Sequence, residues 1–354
     1  MKIRIIAVAM LAAFAGAAFA GDSAEEMLGR IKAVSTPKFD AAKRADNAYM
    51  QQYYADVNKA NEERNKLILD FYKAYPTNEE ADTLLVQRWA TMGGAGRSPS
   101  KEAINAINAD IDAILGANPP AQVKADGTFW KARYGMIAAG NDINQAEAAI
   151  ARFTKAYPSD PRGAQLLSME SQLPVAQSDK AVRRRIYQRM ANDYKDSPSA
   201  KYAPGIIRQM DSVGKPFDLT FTDAISGKKI SMADLKGKVV LLDFWATWCG
   251  PCIARMPDMK KLYADLHGKG LEVLGISLDV DEAKGGLTKL KDYVAKNDVA
   301  WPQYYQGNYW QSDFSTSWGI NSIPCVFLID KNGNLSEVTY PADLENKVKK
   351  LLGN

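Results

Sequence analysis

The spacing of apolar residues changes character part-way along the chain. Between 22 and 212, apolar positions recur with a helical period among Ala, Lys, Glu, Gln and Leu, and β-branched runs are few. Phe39, Ala42, Ala45, Tyr49, Tyr53, Val57, Ala60, Leu67 and Phe71 follow one another at three, four or seven residues, which predicts one face of a long helix. Breaks fall at Tyr75-Pro76, the Gly93–Pro99 stretch, Asn118-Pro119-Pro120, Tyr157-Pro158, Asp160-Pro161 and Ser197-Pro198, so the region reads as about eight helices in pairs. From 213 onward short continuous apolar runs take over: the run from Val239 that ends at the Gly250-Pro251 turn, Leu271–Asp279 and Cys325–Asp330, each read as a buried strand.

The second region reads as a mixed α/β sheet with helices on both faces. Phe217–Phe221 and Lys229–Ser231 flank a turn and suggest a short hairpin. A helix runs from the end of the 239–245 strand to about His267 and is capped by Gly268. A further helix spans Thr288–Asn297, Ala300–Tyr305 carries a strand segment, Asn332-Gly333 turns a hairpin, and Asp343–Leu352 closes the chain as a helix.

The helical region contains a repeat. Phe71-Tyr72-Lys73-Ala74-Tyr75-Pro76-Thr77-Asn78 aligns with Phe153-Thr154-Lys155-Ala156-Tyr157-Pro158-Ser159-Asp160, 82 residues on, and Met190–Pro198 is a looser third copy. A helix ending in a Tyr-Pro turn before a second helix resembles tetratricopeptide-type hairpins, and a plain helical bundle is the alternative.

Composition narrows the chemistry. The chain has 354 residues, three Cys, one His and a formal net charge of +4. Lys2 and Arg4, the apolar Ile5–Phe14 stretch and Ala18-Phe19-Ala20 form an export signal over residues 1–20, and its removal leaves a charge of +2. A charge so near balance argues against a nucleic-acid partner, and no later stretch is apolar enough to span a membrane. The mature chain is therefore expected to be exported and soluble. All three cysteines lie in the second region, so disulfides do not staple the first.

Cys249 and Cys252 sit where the 239–245 strand hands over to a helix, in Trp245-Ala246-Thr247-Trp248-Cys249-Gly250-Pro251-Cys252. A helix N-terminus presents unpaired N–H groups and roughly half a positive charge, which stabilises a thiolate at Cys249. Lowering a thiol from ~8.5 to ~7 speeds attack only about threefold, because nucleophilicity falls with basicity. The larger gain is a better leaving group and a second thiol, Cys252, one turn away. A structural disulfide or half a zinc site are the competing readings. Zinc wants four ligands, and three Cys with a distant His267 supply them poorly, so no metal and no cofactor are expected.

The same motif, with Val213-Gly214-Lys215-Pro216-Phe217 and Leu235–Leu242 upstream, resembles the active site of thioredoxin-fold proteins and is most similar to the exported TlpA/ResA-like thiol–disulfide oxidoreductases. The resemblance runs from about residue 213 to 354. It divides the chain into a signal peptide (1–20), a helical domain (21–212) and a thioredoxin-like domain (213–354). It implies that Cys249 attacks, Cys252 resolves, and Asp243 relays a proton. It also implies that Pro324 is cis, with Ile323 free to pair with an extended peptide beside Trp248, Gly250 and Pro251. Many relatives carry a glutamate three residues after the second cysteine; here that residue is Arg255, which shifts the proton role to Asp243. Pro257 kinks the first helix. Cys325, directly after Pro324, reads as a buried inert thiol or as a third redox thiol. Seven aromatics between Trp301 and Trp318, Tyr309 and Trp310 among them, read as packing with some lining a groove.

The expected activity is reduction of disulfides in exported proteins, fed by a thiol electron donor in the membrane, with the helical domain as a docking or dimerisation module. A peroxiredoxin-like antioxidant, or a non-catalytic scaffold whose grip is redox-linked, are the alternatives.

Overall fold

The computed structural model describes residues 21–339 and 343–353. The signal expected over 1–20 lies outside the described residues. The chain divides into two compact units, the first ending at Asp179 and the second running from Lys180.

The first unit is built from eight α-helices among the described residues: α1 (Ala24–Ala33), α2 (Asn47–Ala74), α3 (Ala81–Thr91), α4 (Lys101–Gly116), α5 (Ala121–Ala139), α6 (Ile143–Ala156), α7 (Arg162–Glu170) and α8 (Pro174–Ser178). Short polar side chains start several of them. Ser23 forms a capping box with Glu26, and the side chains of Asp46, Ser100 and Asp142 accept from the first-turn amides of α2, α4 and α6. The Asp46 cap begins α2 later than the apolar spacing suggested. Phe39, Ala42 and Ala45 precede it, and Phe39 is 45% exposed, packed on the Tyr49 and Tyr53 rings. The buried stripe of α2 is instead Asn61, Asn65, Ile68, Phe71 and Tyr72.

The Tyr-Pro turns share one pattern of backbone hydrogen bonds. Tyr75 donates its N–H to Phe71 O at 2.8 Å, Asn78 to Tyr75 O and Ala81 to Asn78 O. Tyr157 donates to Phe153 O at 2.8 Å, Asp160 to Tyr157 O and Gly163 to Asp160 O. In both copies the Phe and Tyr rings meet at 5.4–5.7 Å. The third copy repeats the ladder from Met190 through Tyr194 and Ser197 to Ala200. In the first two copies the proline ends the helix by removing a donor, and in all three the tyrosine N–H closes the last turn.

The second unit opens with α9 (Lys180–Asp193) and α10 (Ala203–Ser212), so the α-helices before 213 among the described residues number ten rather than about eight, and the last two cluster with the sheet. The reason is packing within this unit. A Cβ on Gly205 of α10 would lie 2.1 Å from Gly319 N, so the two backbones touch there and only glycine fits. Arg208 stacks 4.0 Å above the Trp318 ring, and Gln209 donates to Trp318 O. Trp318 in turn meets Phe217 and Phe327 in the core.

A hairpin of β1 (Thr220–Thr222) and β2 (Lys229–Ser231) precedes a five-stranded mixed sheet in the order β5-β4-β3-β6-β7. The strands are β3 (Val239–Trp245), β4 (Leu271–Ser277), β5 (Gln303–Tyr305), β6 (Cys325–Ile329) and β7 (Leu335–Thr339). β4 runs parallel to β3 and to β5, and β6 runs antiparallel to β3 and β7. The helices are α11 (Gly250–Leu266), α12 (Gly286–Lys296), α13 (Asp313–Ser317) and α14 (Leu344–Leu352). The cap beyond α11 is Gly270, in the left-handed region at φ 101°, rather than Gly268, because His267–Lys269 adds a 3-10 turn. All seven residues of β3 are buried, as expected of a central strand covered on both faces. Asp243 is among them, at 1% exposure.

Candidate active site

The site begins where β3 ends. Ala246 O receives the Cys249 N–H at 3.1 Å, which turns the chain so that Cys249 becomes the N-cap of α11. The Cys249 Sγ accepts the Cys252 N–H at 3.2 Å, one of the orphan amides of the helix start. Negative charge on this sulfur therefore meets both an aimed N–H and the positive end of the helix dipole. Cys249 and Cys252 are joined, with S–S 2.05 Å and Cα–Cα 5.2 Å. Both are buried beneath an exposed rim. Gly250 and Pro251 form the first helical positions, where proline loses no hydrogen bond, and a Cβ on Gly250 would meet open space.

Two features hold this loop, and sequence reasoning missed the first. Asp279, just past β4 and 1% exposed, accepts from Thr247 N at 3.1 Å, Thr247 Oγ1 at 2.6 Å and Ser277 Oγ at 2.8 Å. Burial pushes its carboxyl up, against those bonds. The Ser-x-Asp spacing at the end of a buried strand was the available signal. The second is an aromatic rim. Trp248, 42% exposed, donates Nε1–H to Leu278 O and lies 4.7 Å from the Tyr309 ring and 5.8 Å from Trp310. The other aromatics of the 301–318 stretch pack inward: Trp301 and Trp318 are buried, Phe314 stacks on Phe244, and Tyr304 stacks on Phe221. Trp245, likewise, is wholly buried, donating to Gln303.

The Ile323–Pro324 bond is cis. Phe244 pairs with Cys325, so Ile323 and Pro324 lead into β6 at the same end of the sheet from which the Cys249 loop leaves β3. Cys325 is buried and unbonded to another cysteine, and burial, then the charge of Asp243, pushes its thiol up to about 12. Asp243, on the strand beneath, bonds the Arg255 guanidinium: Nη2–Oδ1 is 2.5 Å. Burial raises the Asp243 carboxyl, and Arg255 pulls it back. The site thus joins Cys249, Cys252, Trp248, Gly250 and Pro251 on one loop-helix junction, with Asp243 and Cys325 below it. Among the described residues no group of His, Cys, Asp or Glu converges as a metal cluster.

Comparison with known proteins finds relatives of this stretch. The Redoxin family model matches residues 212–352. ResA, a thiol–disulfide oxidoreductase of Bacillus cereus, is 36% identical over 125 residues, 35% of this chain and 68% of that protein. ResA of Geobacillus thermodenitrificans is 30% identical over 135 residues, 38% of this chain and 72% of that protein. A crystal structure of a thioredoxin-family thiol:disulfide interchange protein from Chlorobium tepidum is similar at 28% identity and TM-score 0.34, covering 39% of this chain and 95% of that one.

The chain belongs to the ResA-like thiol–disulfide oxidoreductases.

In this ResA-like oxidoreductase the matched stretch coincides with the sheet, α11 and the two joined cysteines, while α9 lies before it. The departure from the family's glutamate is now a contact: Arg255 stands one turn beyond Cys252 on α11 and reaches the strand carboxylate.

Proposed function

We propose that the protein is an exported reductase of protein disulfides. In its dithiol form Cys249 attacks a substrate disulfide as the thiolate, displacing one substrate sulfur and forming a mixed disulfide. Cys252 then gives up its proton to Asp243 and attacks Cys249 Sγ. The Cys249–Cys252 disulfide forms, the second substrate sulfur leaves as a thiolate that takes a proton, and two electrons have passed to the substrate. Ile323 and Pro324 position the substrate backbone, and Trp248, Gly250 and Pro251 meet it from the other side.

The observation that carries this reading is the Cys249 sulfur at the N-cap of α11, accepting the Cys252 amide and bonded to the Cys252 sulfur. The Gly250-Pro251 pair resembles thioredoxin, whose potential of about −270 mV is reducing against an exported compartment. The electron donor is accordingly a membrane thiol. The start of the chain reads as an export signal, and among the described residues no helix is long and apolar enough to cross a membrane. The helical unit, with its tetratricopeptide-like turns, serves to dock a partner or a second copy.

The test is trapping. Cys252→Ser protein should accumulate mixed disulfides with substrate proteins through Cys249, and Cys249→Ser should accumulate none. Peroxide turnover by the wild-type protein without adduct formation by Cys252→Ser would overturn the reading in favour of a peroxiredoxin-like activity.

A further inference from the structure

Arg255 has a polar partner that the exchange reaction uses. Asp243 lies in the middle of a strand buried throughout, at 1% exposure, and an isolated carboxylate there would stay protonated rather than charge. Its neighbours across the sheet bring no charge: Gly275 stands opposite on β4 and Val326 opposite on β6. From β6 the Cys325 thiol is close enough to feel it. From α11 come Arg255, bonded at 2.5 Å, and Cys252, three residues before it on the same helix, one turn or about 4.5 Å of rise away. Arg255 itself is held. Its side chain is 14% exposed and its Nη1 lies 3.1 Å from Met259 Sδ. Its outer edge borders a cavity of about 300 Å³ that also holds Asp258, Lys261, Asp265 and Glu345. Two of those carboxylates are already paired, Asp265 with Lys261 and Glu345 with Lys349. The guanidinium therefore spans from a solvent-reaching cavity to the buried carboxylate.

We propose that Arg255 is a positioning residue for the exchange reaction: its guanidinium lets the buried Asp243 carboxyl ionise and fixes it beside the first turn of α11, where it takes the Cys252 proton. This rests on the reading of Asp243 as proton acceptor. The step is a proton transfer from Cys252 Sγ to Asp243 followed by attack of the resulting thiolate on Cys249 Sγ, with the substrate thiolate as leaving group. Arg255 neither gains nor loses a proton. The arrangement also accounts for an arginine, rather than an acid, at this place: a second carboxylate beside Asp243 would hold one of the two protonated.

The experiment is the pH–rate profile for reduction of a model peptide disulfide by the full chain, alongside a 13C titration of the Asp243 carboxyl in the reduced protein. Arg255→Met should move the acid limb of the profile and the Asp243 titration together to higher pH by one unit or more, roughly a tenfold loss of rate on that limb. Arg255→Lys should restore most of the shift. In an Asp243→Asn background, Arg255→Met should leave the profile where it is. A folded Arg255→Met protein whose acid limb and carboxyl titration both stay put overturns the proposal. Loss of all Cys249-dependent exchange in the unmutated protein would instead overturn the reading of the site, so the two failures are distinguishable.

Discussion

Both units of this protein bury arginine–aspartate pairs among their described residues, and one of these, Arg255–Asp243, lies below the joined cysteines. In the helical unit Arg162 bonds both Asp126 and Asp160 and lies 5.2–5.5 Å from the Phe129 and Phe153 rings. In the second unit Arg255 bonds Asp243. Both units also contain groups whose ionisation burial disturbs: Tyr72 is pushed up to about 12 and Asp82 upward in the first, Asp243, Asp279 and Cys325 upward in the second. A perturbed group is thus a poor guide by itself. What separates the units is placement. Arg162 joins α5 to the Tyr-Pro turn that leads into α7, a bond between structural elements, whereas Arg255 reaches from the helix that carries Cys252 to the strand beneath it.

The sharpest way to break the contrast is to remove the cation from the helical pair. Asp126 is nearly closed off from solvent, and Arg162→Met leaves it without its guanidinium. Fully buried pairs lose about 3–5 kcal/mol on such a change, and the 21% exposure of the Arg162 side chain brings the expectation to about 2 kcal/mol. Urea denaturation should show that loss in the transition that reports the helices, with the pH–rate profile of disulfide reduction unmoved. A shifted profile would mean that the helical pair serves the chemistry after all.

The second unit offers a smaller effect at its surface. Trp248 is exposed beside Cys249 and rests on Tyr309 and Trp310. Its indole N–H is already used by Leu278 O, so on the proposed reading what remains for a substrate is the apolar ring face. Trp248→Ala should raise KM for a protein disulfide several-fold, about 1 kcal/mol of contact, with kcat nearly kept. An equal fall in kcat would show that Trp248 acts in the transition state.

Much of this was legible in the chain. The apolar run into Cys249, the two-residue gap to Cys252 and the succession of strands and helices along the second half are local patterns, and local patterns survive folding. The Tyr-Pro repeat was legible for the same reason. What escaped depends on contacts distant in sequence. Asp243 and Arg255 stand 12 residues apart, on a strand and on the helix that follows it, and no periodicity links them. Asp279 meets Thr247 across 32 residues, and Trp248 meets Tyr309 across nearly twice that gap. The packing of α9 and α10 with the sheet was not visible because they have the same helical composition as the unit before them; contacts distant in sequence, Gly205 on Gly319 and Arg208 and Gln209 on Trp318, tie α10 to the sheet. Phe39 and Ala42 misled because three-residue spacing continues through a 3-10 turn that an aspartate cap separates from the helix.

Cys325 gives the finest test of the comparison, because residues 21–179 contain no cysteine and alkylation of a thiol reads the second unit alone. With burial raising it to about 12, the folded thiol carries a thiolate fraction of about 10⁻⁵ at pH 7, against about 3% for a free cysteine. Direct reaction of the folded state is therefore suppressed about 3,000-fold, and iodoacetamide should label Cys325 at the rate set by opening of the unit. The linkage runs the same way in stability. The unfolded thiol loses its proton at about pH 8.5 while the folded one keeps it to about 12, so the contribution is full below about pH 8.5 and is lost as pH rises through that window. Labelling in the oxidised protein, where Cys249 and Cys252 are joined, should be slow at pH 7 and should accelerate in urea in step with the loss of the sheet. Rapid labelling without urea would place an accessible, acidic thiol directly behind Pro324, and would turn the third cysteine from a packing residue into a participant.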